Sequence, residues 1–233
     1  MTSVKRLALF DLDHTLLPLD SDYQWADFLA RSGRVGDPAE AMRRNDELMA
    51  RYNAGNLTAD ETYEFMLGLL TRADIDELEQ WHAAYMDEVV RPAIDDAALD
   101  LVRQHQEQGD LCAIVTATNE FVTTPIAQAF GIEHLIATVP ERVGNRYTGK
   151  VQGVPSYQEG KITRVETWLN ELGQSLDSFE QTWFYSDSIN DLPLMERVSH
   201  PVATNPSPAL RALAQERGWP VLDLFESLQD AKS

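Results

Sequence analysis

The sequence predicts an α/β protein with a doubly wound parallel sheet and an inserted all-helical cap, and three observations support this. From residue 95 onward, helical and strand-like segments alternate, which is typical of a parallel sheet with crossover helices. Before that, residues 22–90 carry helical spacing without strand signals, which indicates a helical insertion. The length of 233 residues fits one core with such an insertion. We predict a core of residues 1–17 and 92–233 and a cap of residues 18–91.

The first predicted strand lies in residues 7–15, LALFDLDHT, a short apolar run that ends in Asp11 and Asp13. Its length and flanks suit a buried parallel strand, and in open α/β sheets the reactive groups lie beyond the carboxyl ends of the strands. Two carboxylates there repel each other, so they stay ionised only if a cation or hydrogen bonds offset the cost. The pattern favours a metal site, although a lone DxD is also a common turn sequence.

The other elements follow from periodicity and from capping or stop residues. Thr58 and Glu61 form a capping-box pattern at the start of one cap helix. The cap helices are predicted at residues 22–30, 40–52, 58–70 and 74–90, with Arg91 and Pro92 closing the last. The later helices are predicted at residues 95–108, up to 130, 161–172 and 208–217, the strands at 111–116, 135–138, 182–185 and 201–203, and a β-hairpin at 142–154.

Composition and charge limit the classes of partner. Nineteen Lys and Arg against 38 Asp and Glu give a net charge of −19, which disfavours binding to nucleic acid or to an anionic membrane surface. Cys112, the single cysteine, lies in an apolar stretch and is predicted to be a buried hydrophobe. The sequence shows neither a signal peptide nor a transmembrane run, so we expect a cytoplasmic location. It leaves the oligomeric state open.

Polar side chains that suit phosphate and metal chemistry follow the other predicted strands. Thr116 closes the strand LCAIVT, Asp187 follows TWFYS, and Asp191 lies four residues further on. Lys161 stands at the start of a helix before them. Because a parallel sheet brings its strand ends together, these carboxylates, hydroxyl and amine can share one crevice with the first two aspartates.

With these motifs in this order, the chain resembles the haloacid dehalogenase superfamily of phosphohydrolases. The matching motifs are DLDHT, IVTAT, the Lys of GKIT, and YSDSINDLP, and the resemblance spans about residues 7–205. The helical insertion and the sequence SDSINDLPLM are most similar to the phosphoserine phosphatase branch. The resemblance implies a Rossmann-like core and a Mg²⁺-dependent phosphatase that acts on a small phosphorylated metabolite.

The resemblance also implies a role for each motif residue. Asp11 would be the nucleophile and Asp13 the general acid and base, while Thr116, Ala117 and Lys161 would bind the phosphate. These roles agree with carboxylate chemistry, since one carboxylate attacks phosphorus and a second transfers protons.

The implied magnesium ligands are Asp11, Asp187 and the backbone carbonyl of Asp13. Asp191 would support Asp187 or hold a metal-bound water, and Asn190 would orient that shell. His14 could contact the phosphate, but filling the cap interface is the favoured interpretation.

Asp20 is the candidate specificity residue. It lies nine positions after the nucleophile, where phosphoserine phosphatases have a carboxylate for the substrate ammonium, although Asp is one methylene shorter than the usual Glu. An equivalent of the family's cap arginine is not evident, so histidinol phosphate ranks close to phosphoserine. Tyr23 and Trp25 are further candidates for lining the substrate, although tryptophan is most simply a packing residue. Asp20 could equally be a turn or helix-cap residue.

Other functions fit the motifs less well. Dehalogenation is disfavoured because haloacid dehalogenases proper lack the second aspartate, here Asp13. A phosphoacceptor module similar to a response-regulator receiver would share the chemistry but not the helical insertion. A non-catalytic ligand-binding protein could keep the fold. Phosphotransfer to a second small acceptor instead of water is the alternative that is hardest to exclude.

Overall fold

A computed structural model describes residues 5–54 and 56–225 of the chain. The strands are β1 Arg6–Phe10, β2 Leu111–Asn119, β3 His134–Thr138, β4 Pro140–Val143, β5 Arg146–Val151, β6 Gln181–Ser186, β7 His200–Thr204 and β8 Val221–Leu222. Six of them form one sheet in the order β3-β2-β1-β6-β7-β8, in which every neighbouring pair is parallel. The predicted parallel sheet is therefore confirmed, and β4 and β5 form the predicted antiparallel hairpin.

The described residues between β1 and β2 form helices and connecting turns. These helices are α1 Ser21–Arg31, α2 Pro38–Asn53, α3 Ala59–Leu69, α4 Ile75–Tyr85, α5 Arg91–Ala93 and α6 Asp96–Glu107. The later helices are α7 Glu120–Ala129, α8 Glu159–Glu171, α9 Leu192–Met195 and α10 Pro208–Arg217. Thr58 and Glu61 make the predicted capping box at the start of α3. Within the described residues, no helix combines the length and apolar character needed to cross a bilayer.

Strand β1 lies inside the sheet, between β2 and β6, and all its apolar side chains are buried. Ala8 and Phe10 belong to one apolar cluster, and Leu7 and Leu9 belong to another. Successive side chains of a strand point to opposite faces, so both faces of the sheet are covered. Helices α6 and α7 contribute to the first cluster, and α8, α9 and α10 contribute to the second. The sheet is thus doubly wound as predicted.

Three local features differ from the prediction. Strand β2 runs beyond Thr116 to Asn119, with an irregular register against β3 after Val115. Strand β8 was not predicted, because two residues give no periodic signal. The helical path continues through a π-helical turn, Met86–Val90, into α5, which contains the expected closing proline in its first turn, where the missing N–H costs little.

The helices before β2 pack against the rest of the chain through aromatic and backbone contacts. Trp25, from α1, is fully buried among the rings of Phe28, His82, Tyr85 and Phe121. On the other side, the backbone N–H of the first residue of α4 donates to the carbonyl of residue 145 in the β-hairpin, at 3.1 Å. The division into a core of residues 1–17 and 92–233 and a cap of residues 18–91 stays a prediction.

Candidate active site

A cavity of about 380 Å³ lies at the carboxyl ends of β1, β2 and β6. Strand order reverses around β1, and such switch points are where open α/β sheets bind ligands. The structure brings all ten sequence-predicted site residues to the wall of this cavity: Asp11, Asp13, His14, Asp20, Thr116, Ala117, Lys161, Asp187, Asn190 and Asp191.

Lys161 joins two buried carboxylates at the floor of the cavity. Its Nζ lies 2.8 Å from Asp11 Oδ1 and 2.7 Å from Asp191 Oδ2, and the lysine is 2% exposed. Burial alone would lower the pKa of the Lys161 ammonium, but the charges of the two carboxylates outweigh burial and raise it. For Asp11, burial dominates and raises the pKa, although Lys161 opposes this. The amine therefore stays charged and fixes the orientation of Asp11.

Asp187 lies beside this pair. Burial is the main cause that raises the pKa of its carboxyl to about 8, with the charges of Asp11 and Asp191 acting in the same direction and Lys161 opposing them. The hydroxyl of Thr15 lies 3.2 Å from Asp11 Oδ2 and 3.4 Å from Asp187 Oδ1, and it accepts the backbone N–H of Asp187 at 3.0 Å. Thr15 thus ties the end of β1 to the loop after β6.

Asp13 is held between the start of helix α1 and strand β2. Its Oδ1 accepts the backbone N–H of Ser21 at 2.8 Å, and its Oδ2 accepts the Thr118 hydroxyl at 2.8 Å. The pKa of Asp13 is raised to about 6, because burial and, after it, the charge of Asp20 outweigh the hydrogen bonds from Ser21 and Thr118 that lower it. A carboxyl with a pKa near neutrality can both give and take a proton at physiological pH.

The other residues that were predicted to bind phosphate or to support the metal ligands also lie in the cavity wall, in different environments. Thr116 is 1% exposed, and its hydroxyl accepts the backbone N–H of Thr118 at 3.2 Å. Ala117 lines the cavity, and its carbonyl accepts the Thr138 hydroxyl at 2.8 Å. Asn190 lines the cavity from the short helical turn after Asp187. Their predicted roles remain predictions.

His14 is exposed and stands at the rim, so it does not fill a buried cap interface. Its backbone adopts a left-handed conformation with φ 58°, in the turn between Asp13 and helix α1. Asn205 holds that turn in place, because its Nδ2 donates to the carbonyls of His14 and Thr15 at 3.1 and 3.2 Å.

The structure changes the interpretation of the residues predicted to contact substrate. Asp20 is the N-cap of α1 and accepts the backbone N–H of Tyr23 at 2.8 Å, as its helix-cap alternative predicted, although it also lines the cavity. Tyr23 points its hydroxyl at Asp46, and Trp25 is fully buried, so neither lines the cavity. The favoured interpretation of Trp25 as a packing residue is confirmed, and the structure gives no support to the alternative that Tyr23 and Trp25 line the substrate. Asp22, which had no predicted role, does line the cavity.

Other participants were missed because single polar residues carry little signal. Thr15, Thr118 and Ser186 each hydrogen-bond a predicted site carboxylate, and Ser186 Oγ lies 2.7 Å from Asp191 Oδ2. Their positions did contain a hint. Thr15 follows the nucleophile candidate by four residues, and Thr118 and Ser186 each adjoin a predicted motif residue within two positions.

The donor set fits a hard divalent cation. Asp11, Asp13 and Asp187 offer carboxylate and carbonyl oxygens, and burial raises the pKa of all three carboxyls, so a cation there would stabilise their ionised forms. In residues 5–54 and 56–225, no three His, Cys, Asp or Glu side chains form a ready-made cage. Mg²⁺ does not need one, since it usually binds through one or two carboxylates, waters and substrate phosphate.

Comparisons with known proteins agree with this geometry. A family model described as haloacid dehalogenase-like hydrolase matches residues 8–196. A histidinol-phosphatase from Neisseria meningitidis serogroup C (strain 8013) is 44% identical over 221 residues, which cover 94% of this chain and 99% of that protein. A crystal structure of a Bordetella pertussis Tohama I protein of unknown function is 62% identical, with a TM-score of 0.93, over 95% of this chain and all of that one. A substrate-bound phosphoserine phosphatase shares the fold, with a TM-score of 0.67 at 18% identity over 97% of each chain.

Proposed function

The chain belongs to the haloacid dehalogenase-like hydrolases and is a phosphatase of that family, and from this premise we propose that it hydrolyses small phosphomonoesters with Mg²⁺ through an aspartyl phosphate on Asp11. The observation that carries the proposal is the convergence of Asp11, Asp13, Lys161 and Asp187 on one cavity at the strand ends. These groups provide a nucleophile, a proton carrier, a phosphate-binding cation and a metal ligand.

Asp11 is the nucleophile in this proposal. Its carboxylate attacks the phosphorus of the substrate in line, and the bond between phosphorus and the leaving oxygen breaks. Lys161 and Thr15 hold its two oxygens, so the carboxylate cannot rotate away from the substrate. Lys161, together with Thr116 and the backbone of Ala117, would also bind the phosphoryl oxygens.

Asp13 transfers protons in both halves of the reaction. Its carboxyl donates a proton to the leaving oxygen as the aspartyl phosphate forms, and it then accepts a proton from the water that hydrolyses the intermediate. The bonds from Ser21 and Thr118 orient both of its oxygens. A pKa of about 6 places the two protonation states within reach near neutral pH.

Asp11, Asp187 and the Asp13 backbone carbonyl would hold the magnesium ion, with Asp191 and Asn190 supporting them. When bound, the ion would neutralise the clustered negative charge and offset the charge of the substrate phosphate. Residues 18–91 would act as a cap that limits access of bulk water and large substrates.

Histidinol phosphate is the leading candidate substrate, and phosphoserine is the second. The relative that covers almost the same length is a histidinol-phosphatase. Among the described residues that line the cavity there is no arginine, and Lys161 already pairs with two carboxylates. The carboxylate of phosphoserine would therefore meet negative charge, whereas histidinol phosphate carries no carboxylate.

A product assay tests the proposal. Purified protein with an aryl phosphate should release inorganic phosphate, lose activity in excess chelator and recover when Mg²⁺ is added in excess. Release that continues in chelator would contradict the metal assignment. Adding a small alcohol during turnover separates hydrolysis from transfer, since a phosphotransferase would form the phosphorylated alcohol in place of inorganic phosphate.

A further inference from the structure

Acidic side chains far outnumber basic ones in the cavity wall. Its wall contains one permanently charged cation, Lys161, among the described residues. The carboxylates on the same wall are those of Asp11, Asp13, Asp20, Asp22, Asp187 and Asp191. A magnesium ion offsets two of these charges, but a substrate phosphate adds up to two more. The cavity therefore favours a ligand whose organic part is positively charged.

Lys161 pairs with some of these carboxylates and not with others. Its Nζ is within 2.8 Å of both Asp11 and Asp191. Asp20 and Asp22 lie where helix α1 begins, and the described residues show no salt bridge to either of them. The two groups of carboxylates thus differ in whether a cation of the protein compensates them.

Asp22 is better placed than Asp20 to receive a cation. One carboxylate oxygen of Asp20 accepts the backbone N–H of Tyr23 and so caps α1. Asp22 is half-buried, and its Oδ1 accepts the neutral side-chain amide of Asn119, at 3.2 Å. Asn119 is 2% exposed and is itself the N-cap of α7, so it fixes the direction of Asp22. Burial, followed by the charges of Asp20 and Asp13, raises the pKa of Asp22 well above its ordinary value.

The apolar part of the cavity wall suits the organic part of a small metabolite. Leu48, Met49, Leu57, Tyr63 and Met66 supply apolar surface from α2, α3 and the segment between them. The whole cavity, at about 380 Å³, lies at the small end of the range for ligand pockets. An apolar wall with one oriented carboxylate is the arrangement that binds an ammonium group on a short carbon chain.

We propose that Asp22 is the specificity-determining residue of the phosphatase and that it binds an ammonium group on the leaving alcohol of the substrate. The substrate class is then a phosphomonoester of a small amino alcohol, with its phosphate at Lys161 and its ammonium at Asp22. This assignment rests on the proposed function and moves the ammonium contact from Asp20, where sequence spacing had placed it, to Asp22.

Two matched variants and two matched substrates test this assignment. Asp22→Asn keeps the shape and the acceptor for Asn119 but removes the charge, while Asp20→Asn keeps a good helix cap. The substrates are histidinol phosphate and its desamino analogue, in which hydrogen replaces the ammonium group. For each protein, the measured quantity is the ratio of kcat/KM for the amine to kcat/KM for the desamino compound.

The wild-type protein should prefer the amine, and Asp22→Asn should lower this ratio at least about tenfold, which corresponds to about 1.4 kcal/mol of lost charge-assisted binding. Asp20→Asn should lower it much less. Because the readout is a ratio within one protein, a partial loss of folded enzyme does not change it. An unchanged ratio in Asp22→Asn, or a larger loss in Asp20→Asn, would overturn the assignment.

The experiment also separates failure of the inference from failure of the proposed function. If the wild-type protein hydrolyses an aryl phosphate and both test compounds without preferring the amine, the phosphatase proposal stands and the role of Asp22 is refuted. If it hydrolyses none of the three in the presence of Mg²⁺, the proposed function itself fails.

Discussion

Replacing Lys161 with methionine should destabilise the protein as well as inactivate it. The side chains are similar in length, so Lys161→Met removes the charge with little change in volume. Two carboxylates, Asp11 and Asp191, would then lose a cation that lies 2.8 and 2.7 Å away. Both carboxylates are buried, at 7% and 3% exposure, so water cannot easily replace the lysine.

The magnitude follows from the cost of leaving buried charge unpaired. Removing one partner of a buried ion pair costs about 3–5 kcal/mol in the free energy of unfolding. For a chain of this length, each kcal/mol lowers the melting temperature by about 2–4 °C, so the loss is on the order of 6–20 °C. The double variant Lys161→Met, Asp191→Asn should recover part of it, because it leaves one unpaired carboxylate instead of two.

The change of stability with pH gives a second test of this prediction. Without the lysine, burial keeps the folded-state pKa values of Asp11 and Asp191 above the ordinary 3.8, so the folded state binds protons that the unfolded state does not. Stability then falls as the pH rises. Thermal melts in excess chelator should therefore show a larger loss for Lys161→Met at pH 8 than at pH 5. A variant that melts no lower than wild type at pH 8, or one whose deficit grows at acid pH, would refute the reasoning.

Three further predictions concern other residues. Asp11→Asn should abolish turnover, and Asp13→Asn should lower kcat by about 10²–10⁴-fold. The circular dichroism spectrum of both variants should match that of the wild type. Near-normal turnover in either variant would reject the role assigned to that aspartate. Burial lowers the pKa of His82 below its ordinary 6.5, so the unfolded state takes up the proton first and stability falls as the pH drops below that value. His82→Gln should make the melting temperature depend less on pH between pH 5 and 7. A melting temperature that depends on pH as steeply as in the wild type would contradict this. Asn205→Ala should lower the free energy of unfolding by about 2–4 kcal/mol, because the four hydrogen bonds of the Asn205 side chain are lost. Asn205→Gly should be less destabilised than Asn205→Ala, because glycine tolerates the φ of 45° at this position. Equal denaturant midpoints for the alanine variant and wild type would exclude that role.

The convergence of the site could be predicted from sequence because it depends on topology more than on side-chain detail. Once β1, β2 and β6 are parallel neighbours, residues at their carboxyl ends must meet. Thr116 shows the limit of this argument. The apolar run ends there, but the backbone of β2 continues to Asn119, because a single pair to β3 resumes after an irregular stretch. Ladder hydrogen bonds between distant segments leave no trace in a local pattern.

Substrate contacts could not be predicted in the same way, since they depend on which way side chains leave a helix. Asp20 and Asp22 lie two positions apart at the start of α1, and both are acidic residues near the nucleophile in sequence. The first is used as a helix cap and the second receives the amide of Asn119, which belongs to the end of β2. Only the packing of α1 against β2 distinguishes the two. The sequence spacing of nine from Asp11 points to Asp20, whereas the proposal above assigns the ammonium contact to Asp22.

The start of helix α1 links the predicted cap to the chemistry. The backbone N–H of Ser21 donates to Asp13, and the carbonyl of Ser21 accepts the hydroxyl of Tyr85, which is fully buried in the aromatic cluster of the helical region. A hydrogen bond to the ionised carboxylate lowers its pKa, so the position of α1 helps to set the proton affinity of Asp13. The same helix start carries Asp22. Asp13 and Asp22 are also both bonded to the end of β2, through Thr118 and Asn119. A shift of α1 relative to β2 would therefore disturb the proton-transfer group and the proposed ammonium contact together, so an alcohol that engages Asp22 would also help to hold Asp13 in place.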